Sequence, residues 1–257
     1  MVRRLLELGG RRAPFLRWSA LRMVFGGRTM LKRWQVGDGR EQALLEYVEK
    51  HARHDDPDDV IRIIDEFCYE RSIMMNVGDE KGAILDAALA KVDANLVLEL
   101  GTYCGYSGLR MSQVMPDRAR LVSVEFSADN AAIARKIWDF AGVADRATVV
   151  VGHLGDGGST ADRLEQEHGF GPGSVDFVFV DHAKDAYLPD LLLMLARGWL
   201  HSGSVVVADN VKLPGAPKYH AFMKEHDGLD WRTVEHDTHI EYQTLLKDLV
   251  LESTYVP

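Results

Sequence analysis

Three oxygen-bearing side chains, Asp181, Asp209 and Asn210, each follow an apolar run, VDFVFV before Asp181 and SVVVA before the Asp209-Asn210 pair. Two carboxylates and an amide oxygen suit a hard cation such as magnesium, which keeps its other positions for water or substrate. Zinc would prefer His or Cys, and only His182 is close in sequence. Acids end many strands in α/β proteins, so what gives these weight is their pairing across two such runs.

Two other acids hold similar places. Glu99 stands near the end of NLVLEL, two residues before Gly101, with Gly105 and Gly108 beyond it. Glycines there permit a sharp turn and close approach of backbone to ligand, and the helix that follows offers free N–H groups. The spacing alone also fits a dinucleotide site. A carboxylate beside that turn is ill placed for a pyrophosphate and well placed for the ammonium and sulfonium of S-adenosylmethionine, so the residues lean to a methyl donor. Glu125 closes RLVSVE, where an acid can hold ribose hydroxyls.

These ends need strands to carry them. Apolar runs at 96–98, 120–125, 147–151, 175–180 and 204–208 alternate with helical patterns at 128–141, 159–168 and 187–200. Such alternation predicts a mainly parallel sheet with helices on both faces, and ligands bind at the C-terminal ends of its strands. Two more strands, 231–236 and 241–250, predict a terminal antiparallel hairpin, for seven in all. Three helices are expected ahead of the first strand, from about Arg40, from a cap at Asp58, and from Lys81.

The chain has 257 residues, enough for one α/β domain with additions. Its net charge of −9 argues against nucleic acid as a partner. Cys68 and Cys104 form no zinc or disulfide pattern, and a cytoplasmic setting fits them. Through Arg40 the chain holds ten Lys or Arg against Glu7 and Asp38, a local +8 that leaves −17 for the rest. Residues 1–35 are thus a basic, amphipathic extension, with no apolar run long enough to span a bilayer and no clean signal-peptide core. Peripheral contact with an anionic membrane suits it, as does a frayed extension or a helix packed on the domain.

From Val36 to Pro257 the chain resembles the catechol O-methyltransferase family, cation-dependent enzymes of the Rossmann-like class I methyltransferase fold. The resemblance rests on MNVGDEKG (75–82), LELGTYCGYS (98–107), DFAGV (139–143), DHAKDAYLPD (181–190), ADNVKLPGAP (208–217) and IEY (240–242), in order. It implies S-adenosylmethionine, magnesium and a small catechol acceptor. By position it implies that Met75, Val77, Glu99, Gly101, Tyr103, Ser107, Glu125 and Asp181 serve the cofactor, and that Asp181, Asp209 and Asn210 hold the metal. Lys184 would be the general base, Glu241 would bind the second hydroxyl, and Asn210 and Pro214 would complete the acceptor site.

The chemistry is coherent. A phenol is a poor nucleophile near neutral pH, since its pKa is about 10. A dication on both vicinal oxygens acidifies the hydroxyl and fixes the ring, and it favours the neutral amine that a lysine base must be. The departures fall on the acceptor side. Ile73 and Ala183 replace two family tryptophans that wall the catechol ring, while Pro214 keeps the third wall, so a roomier pocket for bulkier acceptors is expected. Leu154-Gly155 replaces the family's Ser-Gln on the adenine side. A caffeoyl-CoA-type methyltransferase is the runner-up. A non-catalytic, membrane-attached binding protein would predict damage to the metal or base positions, and none is seen. A short-chain dehydrogenase would need a Tyr-x3-Lys pair that the chain lacks.

Overall fold

The computed structural model describes residues 38–243 and 245–257. The basic extension expected over residues 1–35 therefore lies outside the described residues.

Helices α1 (Arg40–His51), α2 (Pro57–Glu70) and α3 (Gly78–Leu89) precede β1 (Leu96–Leu100). Then follow α4 (Tyr106–Val114), β2 (Arg120–Glu125), α5 (Ala128–Phe140), β3 (Ala147–Val151), α6 (Ser159–His168), β4 (Val175–Val180), α7 (Tyr187–Ala196) and β5 (Leu200–Ala208). An irregular helical turn (Val211–Gly215) leads to α8 (Pro217–His226), β6 (Trp231–His239) and β7 (Lys247–Tyr255). The seven strands lie in the order β3-β2-β1-β4-β5-β7-β6. The first five pair in parallel, and β7 is antiparallel to both β5 and β6. This is the mainly parallel seven-stranded sheet with a terminal antiparallel hairpin that the alternation of elements predicts.

The central strands β1 and β4 are apolar on both sides because both faces are covered. Val97, Phe177 and Val207 join the core under α1 to α5, and their neighbours Leu96, Val178 and Val206 join the core under α6 to α8. The strand order reverses between β1 and β4, which opens a crevice above their C-terminal ends. Hydrogen bonds carry the ladder past those ends: Asp181 N donates to Leu100 O (2.9 Å) and Asp209 N to Val180 O (3.0 Å). Both acids are thereby fixed at the crevice.

Two glycines of the β1–α4 turn act differently. Gly101 has φ 101°, and a Cβ there would lie 2.4 Å from the Asp181 carbonyl oxygen. Gly108 faces away from the crevice, and a Cβ there would lie 2.3 Å from the buried Trp138 ring on α5. Its smallness serves helix packing, not ligand approach.

Several boundaries differ from expectation. The side chain capping α2 is Asp56, which accepts from Asp59 N at 3.0 Å, because Pro57 takes the first helical position and leaves Asp58 inside the first turn. Helix α3 begins at Gly78, three residues before Lys81. Strand β7 begins at Lys247, so Glu241 lies in the β6–β7 connection. Gln243 holds that connection out of the ladder: its amide donates to Ile240 O (2.8 Å) and Leu246 O (3.0 Å) and accepts from Leu246 N (2.8 Å). No helix among the described residues is long and apolar enough to cross a membrane.

Candidate active site

A cavity of about 680 Å³ lies over the C-terminal ends of β1, β2, β4 and β5. Of the residues expected at the site, Gly101, Tyr103, Ser107 and Glu125 line it from the β1–β2 side, and Met75 and Val77 line it from the segment ahead of α3. Asp181, Lys184, Asn210, Pro214 and Glu241 line it from the β4–β5 side and the β6–β7 connection. Ile73 and Ala183, the two positions where aromatic walls were missing, are also on its surface, as is Leu154. Glu99 and Asp209 lie beneath it, both fully buried.

The β1–β2 half is built from neutral donors around single carboxylates. Glu125 accepts from Tyr103 N (2.8 Å) and Ser127 N (2.7 Å). Burial raises its pKa and those two N–H groups oppose the rise. Tyr103 adopts φ 48°, in the left-handed region, and its hydroxyl donates to Glu41 on α1 at 2.9 Å. Glu99 takes the hydroxyls of Ser107 and Ser123, one on each oxygen. Burial pushes it up to about 7, the two serines oppose this, and the charges of Asp181 and Glu125 add to it. Glu99 thus backs the cavity through Ser107.

The β4–β5 half is built from clustered charges. Lys184 lies three residues after Asp181, and the turn between them brings its Nζ to 2.9 Å from Asp181 Oδ1 and 2.5 Å from the Tyr187 hydroxyl. Tyr187 in turn donates to Asp209 O at 3.0 Å, which ties the β4 and β5 ends together. Asp209 Oδ1 accepts from Asn210 N at 2.6 Å and faces Lys81 Nζ at 2.7 Å. Asp209 Oδ2 is buried and has no partner among the described residues. Burial pushes Asp209 up to about 7, against the pull of Lys81 and with the repulsion of Asp181 and Glu241. Asn210 has φ 51°, and its amide nitrogen donates to Glu241 (3.0 Å) and Asp248 (2.7 Å), which leaves the amide oxygen for another ligand. An orphaned carboxylate oxygen of Asp209, the free amide oxygen of the adjacent Asn210 and the carboxylate of Asp181, whose charge is felt at Asp209, are donors of the kind that fits a hard dication.

Two residues of this half were missed in the chain. Lys81 projects from α3 and contacts Asp209, Glu241 and Asp248, and Asp248 sits at the start of β7. The signal was available for Lys81: it falls on the same helix face as Leu85, where a lysine is out of place unless paired. His182 also reaches the cavity. Its Nε2 is 2.8 Å from Asp190 Oδ2, and its Nδ1 is buried without a partner among the described residues.

A family model described as O-methyltransferase matches residues 54–223. A probable O-methyltransferase of Mycobacterium tuberculosis is 56% identical over 234 residues, covering 91% of this chain and 100% of that protein. Catechol O-methyltransferase of Mus musculus is 38% identical over 215 residues, covering 83% of this chain and 78% of that protein. Among solved structures, the O-methyltransferase TomG of Streptomyces achromogenes, crystallised with SAM, is similar in fold at TM-score 0.61 and 22% identity, covering 84% of this chain and 96% of that one.

Proposed function

The chain belongs to the O-methyltransferase family, with catechol O-methyltransferases among its relatives, and from that premise we propose that it moves a methyl group from S-adenosylmethionine to one hydroxyl of a vicinal diphenol, with magnesium required. The observation that carries the reading is the convergence of Asp181, Lys184, Asn210 and Glu241 on one side of a cavity whose other side presents Gly101, Ser107 and Glu125.

On the donor side, Glu125 is placed for the ribose, Met75, Val77 and Tyr103 shape the channel, and the Gly101 turn admits the methionine end. Glu99, through Ser107, backs the site for an ammonium, whose arrival favours the charged form of the acid. On the acceptor side, Asp181, Asp209 Oδ2 and the Asn210 amide oxygen would hold the metal. When bound, magnesium supplies Lewis acidity and a template for two adjacent oxygens. Lys184 Nζ takes the proton of the hydroxyl to be methylated. Glu241 accepts a hydrogen bond from the other hydroxyl, and Pro214 packs on the ring. The methyl then passes from the sulfonium sulfur to the deprotonated oxygen, and the thioether leaves neutral. Holding donor and acceptor in one cavity removes the entropic cost of their meeting.

A panel of phenols tests the reading. With S-adenosylmethionine and magnesium, vicinal diphenols should turn over while the matching monophenols do not. Equal turnover of both would remove the chelating acceptor. The cavity favours larger members of the class, because Ile73 and Ala183 stand on its wall. KM should therefore fall from the bare ring to diphenols with bulky substituents, and a rise along that series would oppose the roomier pocket.

A further inference from the structure

The carboxylates of Asp209, Glu241 and Asp248 offer oxygens within 4.8 Å of one another, a spacing that could hold a cation. Lys81 fills that place. It is 1% exposed, and its Nζ lies 2.7 Å from Asp209 Oδ1, 3.1 Å from Asp248 Oδ2, and in contact with Glu241 Oε1. Asp248 is held in turn by Leu213 N (2.9 Å) and the Asn210 amide (2.7 Å). We propose that Lys81, braced by Asp248, is a positioning residue for methyl transfer: it closes the three carboxylates into one ion cluster, leaves Asp209 a single oxygen for a dication, and holds Glu241 against the acceptor. This inference rests on the proposed methyl-transfer reading.

The physical case has three parts. Lys81 reaches the cluster from α3, whereas its partners come from the end of β5, the β6–β7 connection and the start of β7, so one ammonium ties four segments together. Glu241 sits in a connection and not in a strand, so its placement depends on side-chain partners, and Lys81 and Asn210 are those the structure supplies. Asp209 Oδ1 is already taken by Lys81 and Asn210 N, which turns the unpartnered Oδ2 into the one oxygen free for a metal. Lys81 touches no reacting atom, so its effect passes through Asp209 and Glu241.

The test compares wild type with K81M and with the charge-balanced double variant K81M/D248N. Removing a buried pair together keeps the fold better than removing one partner. Magnesium chloride binding is measured by calorimetry on the full chain without substrate, and kcat and KM are measured with a vicinal diphenol. In the double variant, magnesium affinity should fall and acceptor KM rise, each about tenfold or more, as for other residues that orient metal ligands, while kcat stays within about threefold of wild type. In K81M the vacated carboxylates should take a second magnesium ion, so the stoichiometry rises from one to two. Wild-type affinity and KM in the double variant would overturn the inference alone. A wild type that binds no magnesium would overturn the parent reading and this one with it.

Discussion

The two halves of the cavity solve different problems by different means. On the β1–β2 side each buried acid is satisfied by neutral groups: Glu99 by two serine hydroxyls, Glu125 by two backbone N–H groups. On the β4–β5 side the acids crowd together and are balanced by ammonium groups: Asp181 by Lys184, and Asp209, Glu241 and Asp248 by Lys81. The first arrangement sets carboxylates among neutral donors with little rearrangement, and a ligand with localised positive charge would favour their ionised forms. The second stores carboxylate charge that a small dication can redeem, with a lysine beside it to move a proton. The half built from neutral donors should be tunable by single residues, whereas the charged half should fail abruptly.

The largest expected effect is K184M. It should lower kcat by about 10³-fold, within the range of a lost general base, while calorimetry shows unchanged cofactor affinity. A comparable loss of cofactor affinity would mean that the halves are not separable. Next comes E99Q. Glu99 is raised to about 7 from an ordinary 4.5. Between those values the native chain holds a proton that the unfolded chain has lost, so this group makes wild-type stability fall as pH rises through that window. The stability of E99Q relative to wild type should therefore grow by roughly 3 kcal/mol from pH 4 to pH 8, at about 1.4 kcal/mol per pH unit. Urea titrations at the two pH values check this, and a constant difference would place the acid's proton elsewhere. E125A should weaken cofactor binding about tenfold, the worth of a hydrogen bond to a charged group, and leave magnesium affinity untouched. The smallest effect is remote from both halves: D56A, which removes the cap of α2, should cost about 1 kcal/mol in a thermal or urea melt with kcat unchanged.

The same contrast explains what could be read from the chain. Strand ends follow from local apolar runs, so the places of Glu125, Asp181, Asp209 and Asn210 at those ends are legible along the chain, as is the order of α and β elements from their alternation. Features set by distant partners were not legible. Gly108 looked like part of a ligand turn because nothing local announces Trp138, thirty residues away. The last strand was expected too early because Glu241-Tyr242 carries strand-like residues, while Gln243 ties the segment into a connection by side-chain hydrogen bonds. Lys81 and Asp248 meet 167 residues apart, and only the burial of a lysine on an apolar helix face hinted at them.

The most direct measurement is paired: methyl transfer to a vicinal diphenol and S-adenosylmethionine binding, both with magnesium and again with excess chelator. If the halves work as described, chelator abolishes turnover, leaves cofactor binding within a few-fold, and added magnesium restores the rate. Undiminished turnover in chelator would contradict the account, because Asp181, Asp209 and Asn210 would then have no cation to hold.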